Sequence, residues 1–124
     1  MTKIKKNFII ININFSEYFI DINFYIGKNA YGNDEILEIC KNNDLWFHIK
    51  DKPSSHVIAS IPDKINSVIL NKIIEKGSLL CKEHSKYKND NNIKIIYTYL
   101  INIEKPKKSN PGKVIVLNSK LIIC

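Results

Sequence analysis

The segment from Asp44 to His56, DLWFHIKDKPSSH, concentrates side chains that could do chemistry. Two histidines, His48 and His56, lie on either side of a turn that contains Pro53. Two imidazoles that titrate near neutral pH can serve as general acid and general base in RNA phosphoryl chemistry. Aromatic rings beside lysines can instead stack on unpaired bases and contact phosphates. The segment therefore leaves two hypotheses open, an enzyme that acts on RNA and a surface that binds RNA.

A metal site or a nucleophile could be assembled from the same part of the chain. Cys81 and His84 lie three residues apart on one face of a predicted helix and could join His48 and His56. Tetrahedral zinc sites have a tighter ligand spacing, so we expect no metal. Cys81 or Ser55 could act as a nucleophile only with a base in hydrogen-bond reach, which spacing does not establish. Neither a G-x-G-x-x-G nor a P-loop pattern is present, so we expect no cofactor.

The composition is that of a globular protein with an excess of positive charge. The chain has 124 residues, 44% of them hydrophobic, which is enough for one core without disulfides. All 19 basic residues are lysines and the net charge is +7. This charge favours an anionic partner, RNA above all, and would also allow DNA binding. The alternative is that the lysines only keep the surface solvated.

Cysteine usage and hydropathy indicate a cytoplasmic protein. The three cysteines form an odd, widely spaced set without a C-x-x-C pair, which argues against a disulfide framework. The longest apolar stretch, residues 8–15, is far shorter than the roughly 20 residues of a membrane-spanning helix. The early lysines resemble the start of a signal peptide, but no cleavage site follows. We therefore expect no membrane contact.

Hydrophobic periodicity predicts an α+β domain over residues 1–124, with two main helices and a mostly antiparallel sheet. Residues 9–15 and 18–26 alternate as an antiparallel pair of strands. Asn33 is the predicted cap of a first helix, and Asp63 the cap of a second that ends near Lys86. The remaining predicted strands are residues 93–101, 114–117 and 121–123, the last two as a closing hairpin.

Residues 46–50 and 56–61 predict a second hairpin with a five-residue turn. One register buries a set of apolar side chains together, namely Phe47, Ile49, Val57, Ala59 and Ile61. The same register places the other parity on the opposite face, namely Trp46, His48, Lys50, His56, Ile58 and Ser60. Because this second set mixes aromatic and polar side chains, it predicts an open working face rather than a core.

The stretch NDLWFHIKDKPSSHVI resembles the signature of the NFACT-R domain, N-D-[IL]-W-F-H-x-x-D-x-P-G-S-H-V. Two further blocks agree in order and spacing. FYIGKNAYGND (24–34) is similar to the family's G-R-N-A-x-x-N-D, and IIYTYLINIEKPKKSNPGKVIV (95–116) resembles its V-x-Y-T-x-x-x-x-V-x-K followed by K-P-G-x-V. The resemblance covers about residues 18–124.

This resemblance implies an RNA-binding module of the ribosome quality-control factors, with no catalytic activity of its own. The large members engage tRNA and the large ribosomal subunit, so tRNA or ribosomal RNA, and the ribosome itself, are the implied partners. The residues at motif positions are Lys28, Asn29, Asn33, Asp34, Trp46, His48, Asp51, Ser55 and His56. Of these, we expect Asn33 as helix cap and Asp51 as turn former to be architectural.

Two positions depart from the family pattern. Lys28 replaces an arginine and lacks the planar fork that binds a phosphate through two hydrogen bonds. Ser54 replaces a glycine, so the turn would be strained if this position required a positive φ. Both departures bear on how the chain would contact RNA.

We therefore predict RNA binding through the face bearing Trp46, His48, Lys50 and His56, with Lys28 and the basic loop 105–108 on phosphates. The predicted nucleic-acid-binding residues are Lys28, Asn29, Trp46, His48, Lys50, Ser55, His56, Lys105, Lys107 and Lys108. Two alternatives stay open. One is an RNA-processing or RNA-modifying enzyme that uses His48 and His56. The other is a protein-interaction module that docks on a ribosome-associated partner.

Overall fold

The computed structural model describes residues 1–124, and its main feature is a seven-stranded antiparallel sheet with a helix on each face. The strands of this sheet are β1 (Thr2–Ile4), β2 (Phe8–Phe15), β3 (Ile20–Gly27), β4 (Leu45–Ile49), β5 (Val57–Ala59), β6 (Lys94–Tyr99) and β9 (Lys120–Ile123). They lie in the order β1-β2-β3-β5-β4-β6-β9. The helices are α1 (Ala30–Ile39) and α2 (Ser67–Glu83), and β7 (Ile103–Glu104) pairs with β8 (Ile115–Val116) in a separate ribbon.

The predicted α+β class, with two main helices and a mostly antiparallel sheet, is confirmed. The first predicted strand pair forms as β2 and β3, with Asn12 opposite Asn23. The predicted second hairpin also forms, with Phe47 of β4 opposite Val57 of β5, although its connection spans residues 50–56. Neither helix has the length and apolar character needed to cross a membrane.

The larger core lies between the sheet and α2 and contains 14 buried residues. Phe47 and Val57 are fully buried there. Gly77 of α2 lies over Phe47, and a Cβ atom at this position would overlap the ring. The glycine therefore lets helix and strand approach closely. The parity prediction is confirmed for its apolar set, namely Phe47, Ile49, Val57, Ala59 and Ile61.

A smaller core lies on the opposite face of the same strands, under α1. Ile36 of α1 packs with Trp46, Ile58 and Leu100, and all four are buried. As a result, four of the five β4 residues and all three β5 residues are buried. The central strands are thus covered on both faces except at His48 near the end of β4, and the remaining open sheet surface lies on the outer strands.

Both helices begin at an asparagine other than the predicted cap. Asn29 Oδ1 accepts a hydrogen bond from the Gly32 amide at 2.9 Å, and Asn66 caps α2 in the same way. The predictions of Asn33 and Asp63 as caps are therefore wrong. An N-cap residue is extended while its side chain reaches the third following amide, and Asn29 (φ −157°, ψ 179°) meets this requirement.

The predicted closing hairpin is wrong. Strand β8 pairs with β7, with Val116 opposite Ile103, whereas β9 joins the main sheet beside β6, with Ile122 opposite Ile95. Because β6 is apolar on both parities, it needs a neighbour on each side to pair its backbone. A local hairpin would have left β6 as the edge of the sheet.

The contact between α1 and the β1–β2 connection predicts the effect of one substitution. A Cβ atom at Gly32 would overlap the backbone carbonyl of Asn7. Although alanine favours helix over glycine by about 1 kcal/mol, we expect Gly32→Ala to lower the free energy of unfolding by about 1–3 kcal/mol through overpacking. Urea unfolding measures this difference. The control, Glu38→Ala at an exposed site of α1, should stay within about 0.5 kcal/mol of wild type, and a stabilised Gly32→Ala would contradict the packing.

Candidate nucleic-acid interface

Three stretches far apart in the chain meet beside β4 and β5: the first turn of α1, the β4–β5 connection and the β7–β8 loop. Asn33 Oδ1 accepts a hydrogen bond from the His56 amide at 3.0 Å, and Asp34 Oδ1 accepts one from the Gly112 amide at 2.9 Å. Gly112 has φ +80° and lies against Ala30, where an added Cβ would be 3.2 Å from the alanine Cβ. These contacts hold α1 and the loop over the sheet.

Trp46, His48 and His56 form an aromatic cluster on the α1 side of the sheet. The His48 ring stacks on Trp46 with 5.5 Å between centroids and 5° between planes. The His56 ring meets both edge-on, at 5.3 Å from Trp46 and 5.2 Å from His48. His48 Nδ1 donates to the Ile49 carbonyl oxygen at 2.6 Å, because a carbonyl can only accept. The three rings therefore fix one another's orientation.

The prediction that this face is open is wrong for two of the three rings. Trp46 is 1% exposed and His56 is 2% exposed. Ile36 and Leu100 pack over Trp46, so a base cannot reach it in this structure. The predicted RNA contacts of Trp46 and His56 would need exposed rings, and neither ring is exposed. His48 is half-buried and is the member of the cluster that reaches the surface.

The same burial keeps the two imidazoles neutral. Burial lowers the pKa of His56 to about 3, assisted by His48 and Lys105, and opposed by Asp34 and a backbone hydrogen bond with Gly112. Burial also lowers the pKa of His48. His56 Nδ1 has no hydrogen-bond partner, so nothing stabilises a proton on that atom. A neutral, enclosed His56 is unsuited to the acid–base role that the enzyme hypothesis assigns to it.

Lys105, a predicted phosphate contact, is bound to groups within the protein. Its Nζ lies 3.1 Å from Asp34 Oδ1. It also donates to the carbonyl oxygens of Asn110 at 2.7 Å and Lys113 at 2.8 Å. An ammonium group has three hydrogens, so these partners use its full donor capacity. Lys105 therefore ties the β7–β8 loop to α1, and its predicted contact with RNA would have to replace one of these internal partners.

The neighbouring motif residues Lys28 and Asn29 are exposed but differ in what they leave free. Asn29 uses its oxygen as the helix cap and its amide nitrogen to donate to Asn7 Oδ1 at 3.2 Å. Lys28 Nζ donates to the Lys5 carbonyl oxygen at 2.7 Å and keeps two hydrogens for another acceptor. Lys28 can therefore contact a phosphate, whereas Asn29 serves the start of α1.

The β4–β5 turn places its strain at Asp51 rather than at Ser54. Asp51 has φ +58°, which confirms it as turn former, and Ser54 does not have a positive φ. Ser54 Oγ accepts a hydrogen bond from the Ile49 amide at 3.1 Å, a contact that glycine could not make. Ser55 is half-buried, and its carbonyl oxygen accepts a weak hydrogen bond from Cys81 Sγ at 3.8 Å. The replaced glycine thus costs no backbone strain.

The side chains considered for metal or nucleophilic chemistry do not converge. Cys81 belongs to the core under α2, on the other face of the sheet from the histidine pair, and burial raises its pKa to about 12. His84 is exposed at the end of α2. No three His, Cys, Asp or Glu side chains come close enough together to hold a metal ion. The Cys81 thiol is protonated at neutral pH and is a poor nucleophile.

Beyond the aromatic cluster, the α1-side face is open on β4, β6 and β9. His48 lies opposite Ile96, which lies opposite Leu121. In the next row, Lys94 lies opposite Ile123. Cross-strand partners share a face of a sheet, so these side chains form one surface. We call it the open surface and define it as His48, Lys50, Lys94, Ile96, Leu121 and Ile123.

The open surface has lysines at one end. Lys50 and Lys94 are exposed, and the Lys50 amide donates to the Lys94 carbonyl at 2.9 Å, so the two residues are neighbours. A cleft of about 440 Å³ beside them includes Lys52 as well as Asp51 and Asp90. On the β7–β8 loop, exposed lysines face solvent at positions 107, 108 and 113.

Sequence reasoning missed Lys94, Leu121 and Ile123 as members of a site. They come beside His48 only through the β4–β6–β9 register, which no local pattern specifies. The one available signal was Lys94, a charge within an otherwise apolar strand.

The fold and the site define an α+β domain whose lysines lie beside an open sheet surface. Residues 15–117 match the family described as NFACT protein RNA binding domain. Since this match covers most of the 124 residues, the chain belongs to that family. The resemblance found in the three sequence blocks is confirmed.

Related proteins share this segment within longer chains. The chain is 29% identical over 92 residues to the Rqc2 homolog RqcH of Bacillus subtilis, covering 72% of this chain and 15% of the relative. It is 27% identical to Coiled-coil domain-containing protein 25 of Danio rerio, covering 73% and 44%. The solved C-terminal part of the Streptococcus suis fibronectin/fibrinogen-binding protein superposes with a TM-score of 0.77 at 24% identity, covering 98% and 45%. That structure supports the fold.

The buried His56 predicts a pH dependence of stability. The unfolded chain protonates His56 near pH 6.5, whereas the folded chain does so only near 3. Between these values the unfolded state binds more protons, so the free energy of unfolding falls as the pH falls, by up to about 1.4 kcal/mol per unit. We expect His56→Phe to show a flatter dependence between pH 4 and 6.5 in urea unfolding. His84→Gln, the exposed control, should keep the wild-type slope, and equal slopes in all three proteins would contradict the buried, neutral imidazole.

Proposed function

We propose that this protein is a non-catalytic RNA-binding module that binds structured RNA, tRNA or ribosomal RNA, in ribosome quality control. The observation that carries the proposal is the pair of exposed lysines, Lys50 and Lys94, beside the half-buried ring of His48 on the open surface. Membership of the family of NFACT RNA-binding domains supports the same class of partner. The RqcH relatives support the quality-control setting. Three unpaired cysteines fit the reducing cytoplasm where this process would take place.

The chemistry of the open surface suits phosphate contacts more than base readout. Lysine is a flexible point charge that neutralises phosphates without distinguishing sequence. The net charge of +7 adds long-range attraction for any polyanion. Shape-selective recognition of folded RNA rests on such contacts to the backbone and the 2′-hydroxyl groups. Lys28 and the lysines at positions 107 and 108 would extend the contact along the edge of α1, since Gly112 anchors their loop beside Ala30.

The two alternatives receive less support. Catalysis by His48 and His56 would need a reactive atom to reach His56, which is 2% exposed. A protein partner on the open surface would contact Leu121 and Ile123, which are about half exposed. Such a contact would be largely apolar and hence insensitive to salt, which separates it from RNA binding.

The open surface predicts a specific loss of RNA affinity. Replacing Lys50 and Lys94 by glutamine removes two phosphate contacts while keeping a flexible polar side chain and the backbone register. We expect weaker binding of tRNA and of duplex RNA alike. The slope of log affinity against log salt should become less steep by about two, one for each lost contact. Fluorescence anisotropy at several salt concentrations measures both quantities.

The matched control removes the same charge elsewhere. Lys64 precedes α2 and Lys72 lies on it, both exposed and on the other side of the sheet. The Lys64→Gln/Lys72→Gln protein has the same net charge as the test variant. If both double variants lose affinity equally, overall charge explains the binding and the open surface is not the site.

A further inference from the structure

A second uncovered part of the α1-side face lies on β1, β2 and β3, on the opposite side of α1 from the open surface. It forms a pocket of about 410 Å³, a volume in the range of small-ligand sites. The pocket is lined by Met1, Lys3, Ile10, Asn12, Asn23 and Tyr25. We call it the amide pocket.

The strand register explains why these six side chains share one surface. Lys3 lies opposite Ile10, which lies opposite Tyr25. In the adjacent row, the backbone N–H of Asn12 donates to the Met1 carbonyl oxygen at 2.8 Å, and Asn12 lies opposite Asn23. The floor of the pocket is therefore a grid of two rows on three strands. Its polar amide groups come from Asn12 on β2 and Asn23 on β3, and its positive charge comes from Lys3 on the edge strand β1.

The two asparagines leave hydrogen-bonding groups unused. Asn12 Nδ2 donates to Asn23 Oδ1 at 2.9 Å, and both side chains are half-buried. This bond leaves the Asn12 oxygen as an acceptor and the Asn23 amide group as a donor. Exchanging oxygen and nitrogen in both amides gives the same result with the roles reversed. Either way, the pair presents one donor and one acceptor side by side, the pattern that matches the hydrogen-bonding edge of a nucleobase.

Tyr25 supplies an aromatic ring at the side of the pocket. It is half-buried and packs against the cluster that contains Ile58 and Trp46. Its hydroxyl stays protonated, because burial, with Cys40 and Asp44 nearby, raises its pKa. Lys3 is exposed at the pocket's rim. An aromatic ring, amide edges and a lysine are the three group types that hold an unpaired nucleotide on a sheet surface.

We propose that the amide pocket binds one unpaired nucleotide of the RNA. The base stacks on Tyr25, its edge hydrogen-bonds to the Asn12–Asn23 pair, and its phosphate contacts Lys3. This proposal rests on the proposed function and adds selectivity to it, because a base held in a duplex cannot present its edge and face to the pocket. The protein would thus contact paired regions through the open surface and a single-stranded loop or end through the amide pocket.

The test compares single-stranded and duplex RNA in the 124-residue chain. The probes are 12-nucleotide homopolymers of U, C and A and a 12-base-pair duplex, measured by fluorescence anisotropy. We expect Asn12→Ala and Tyr25→Leu to weaken binding of at least one homopolymer by about 5- to 100-fold, the range of one lost base contact. Duplex binding should change less than twofold. Tyr25→Phe should keep homopolymer affinity, because it keeps the ring.

The control variant is Asn14→Ala. Two positions further along the same strands, Asn14 Nδ2 donates to Asp21 Oδ1 at 2.7 Å, an exposed contact outside the pocket. It should leave both affinities unchanged. The amide pocket is overturned if Asn12→Ala binds every homopolymer as wild type does, or if it weakens homopolymers and duplex equally. Wild-type binding of duplex with no effect of Asn12→Ala would leave the proposed function standing, whereas no binding of any RNA would overturn both.

Discussion

Burial of β4 and β5 on both faces is the constraint on which the rest of the structure depends. Phe47 and Val57 face α2, while Trp46 and Ile58 face α1, and all four are withdrawn from solvent. A sheet with such central strands cannot leave either face open at its middle without exposing large apolar surface. Both helices must therefore stay docked, and surfaces available to a ligand are displaced to the outer strands on either side of α1.

The need to keep α1 docked on the sheet explains the family signature. Asn33 bonds the His56 amide, Asp34 bonds the Gly112 amide, and Lys105 closes onto Asp34. Each contact joins one of the three sequence blocks to another. The residues that make the blocks recognisable thus hold α1 and the β7–β8 loop against the sheet, and the groups free to meet RNA lie at positions of less distinctive sequence. Motif positions and the proposed RNA contacts are therefore largely different sets, with Lys28 and His48 in both.

Features of the fold and the site that depend on neighbouring residues could be predicted from the sequence. Features that depend on contacts between residues distant in sequence could not. Alternation located the β2–β3 pair and the parity of Phe47 and Val57, because both depend on local periodicity. The same parity placed Trp46 on the opposite face correctly. Whether that face was open depended on α1, whose position is set by contacts such as Asn33 with His56, 23 residues apart. Local sequence pattern likewise could not predict the partner of β9, because packing of the core determines that β9 pairs with β6 and not with β8. Lys105 looked like a free charge because its partners are Asp34 on α1 and two carbonyl groups in a loop of irregular structure, which no local pattern specifies.

The proposed function requires that RNA meet the open surface while Trp46 and His56 stay buried. The most direct measurement is a two-dimensional ¹H–¹⁵N NMR titration with a tRNA, since Trp46 is the single tryptophan and gives one indole signal. We expect shift changes at the amides of Lys50, Lys94 and Leu121, with the Trp46 indole signal unmoved and slow to exchange with solvent. Large shifts or fast exchange of the Trp46 indole on adding RNA, with Lys94 unaffected, would contradict this expectation. That result would mean that α1 leaves the sheet and that the buried rings form the binding site.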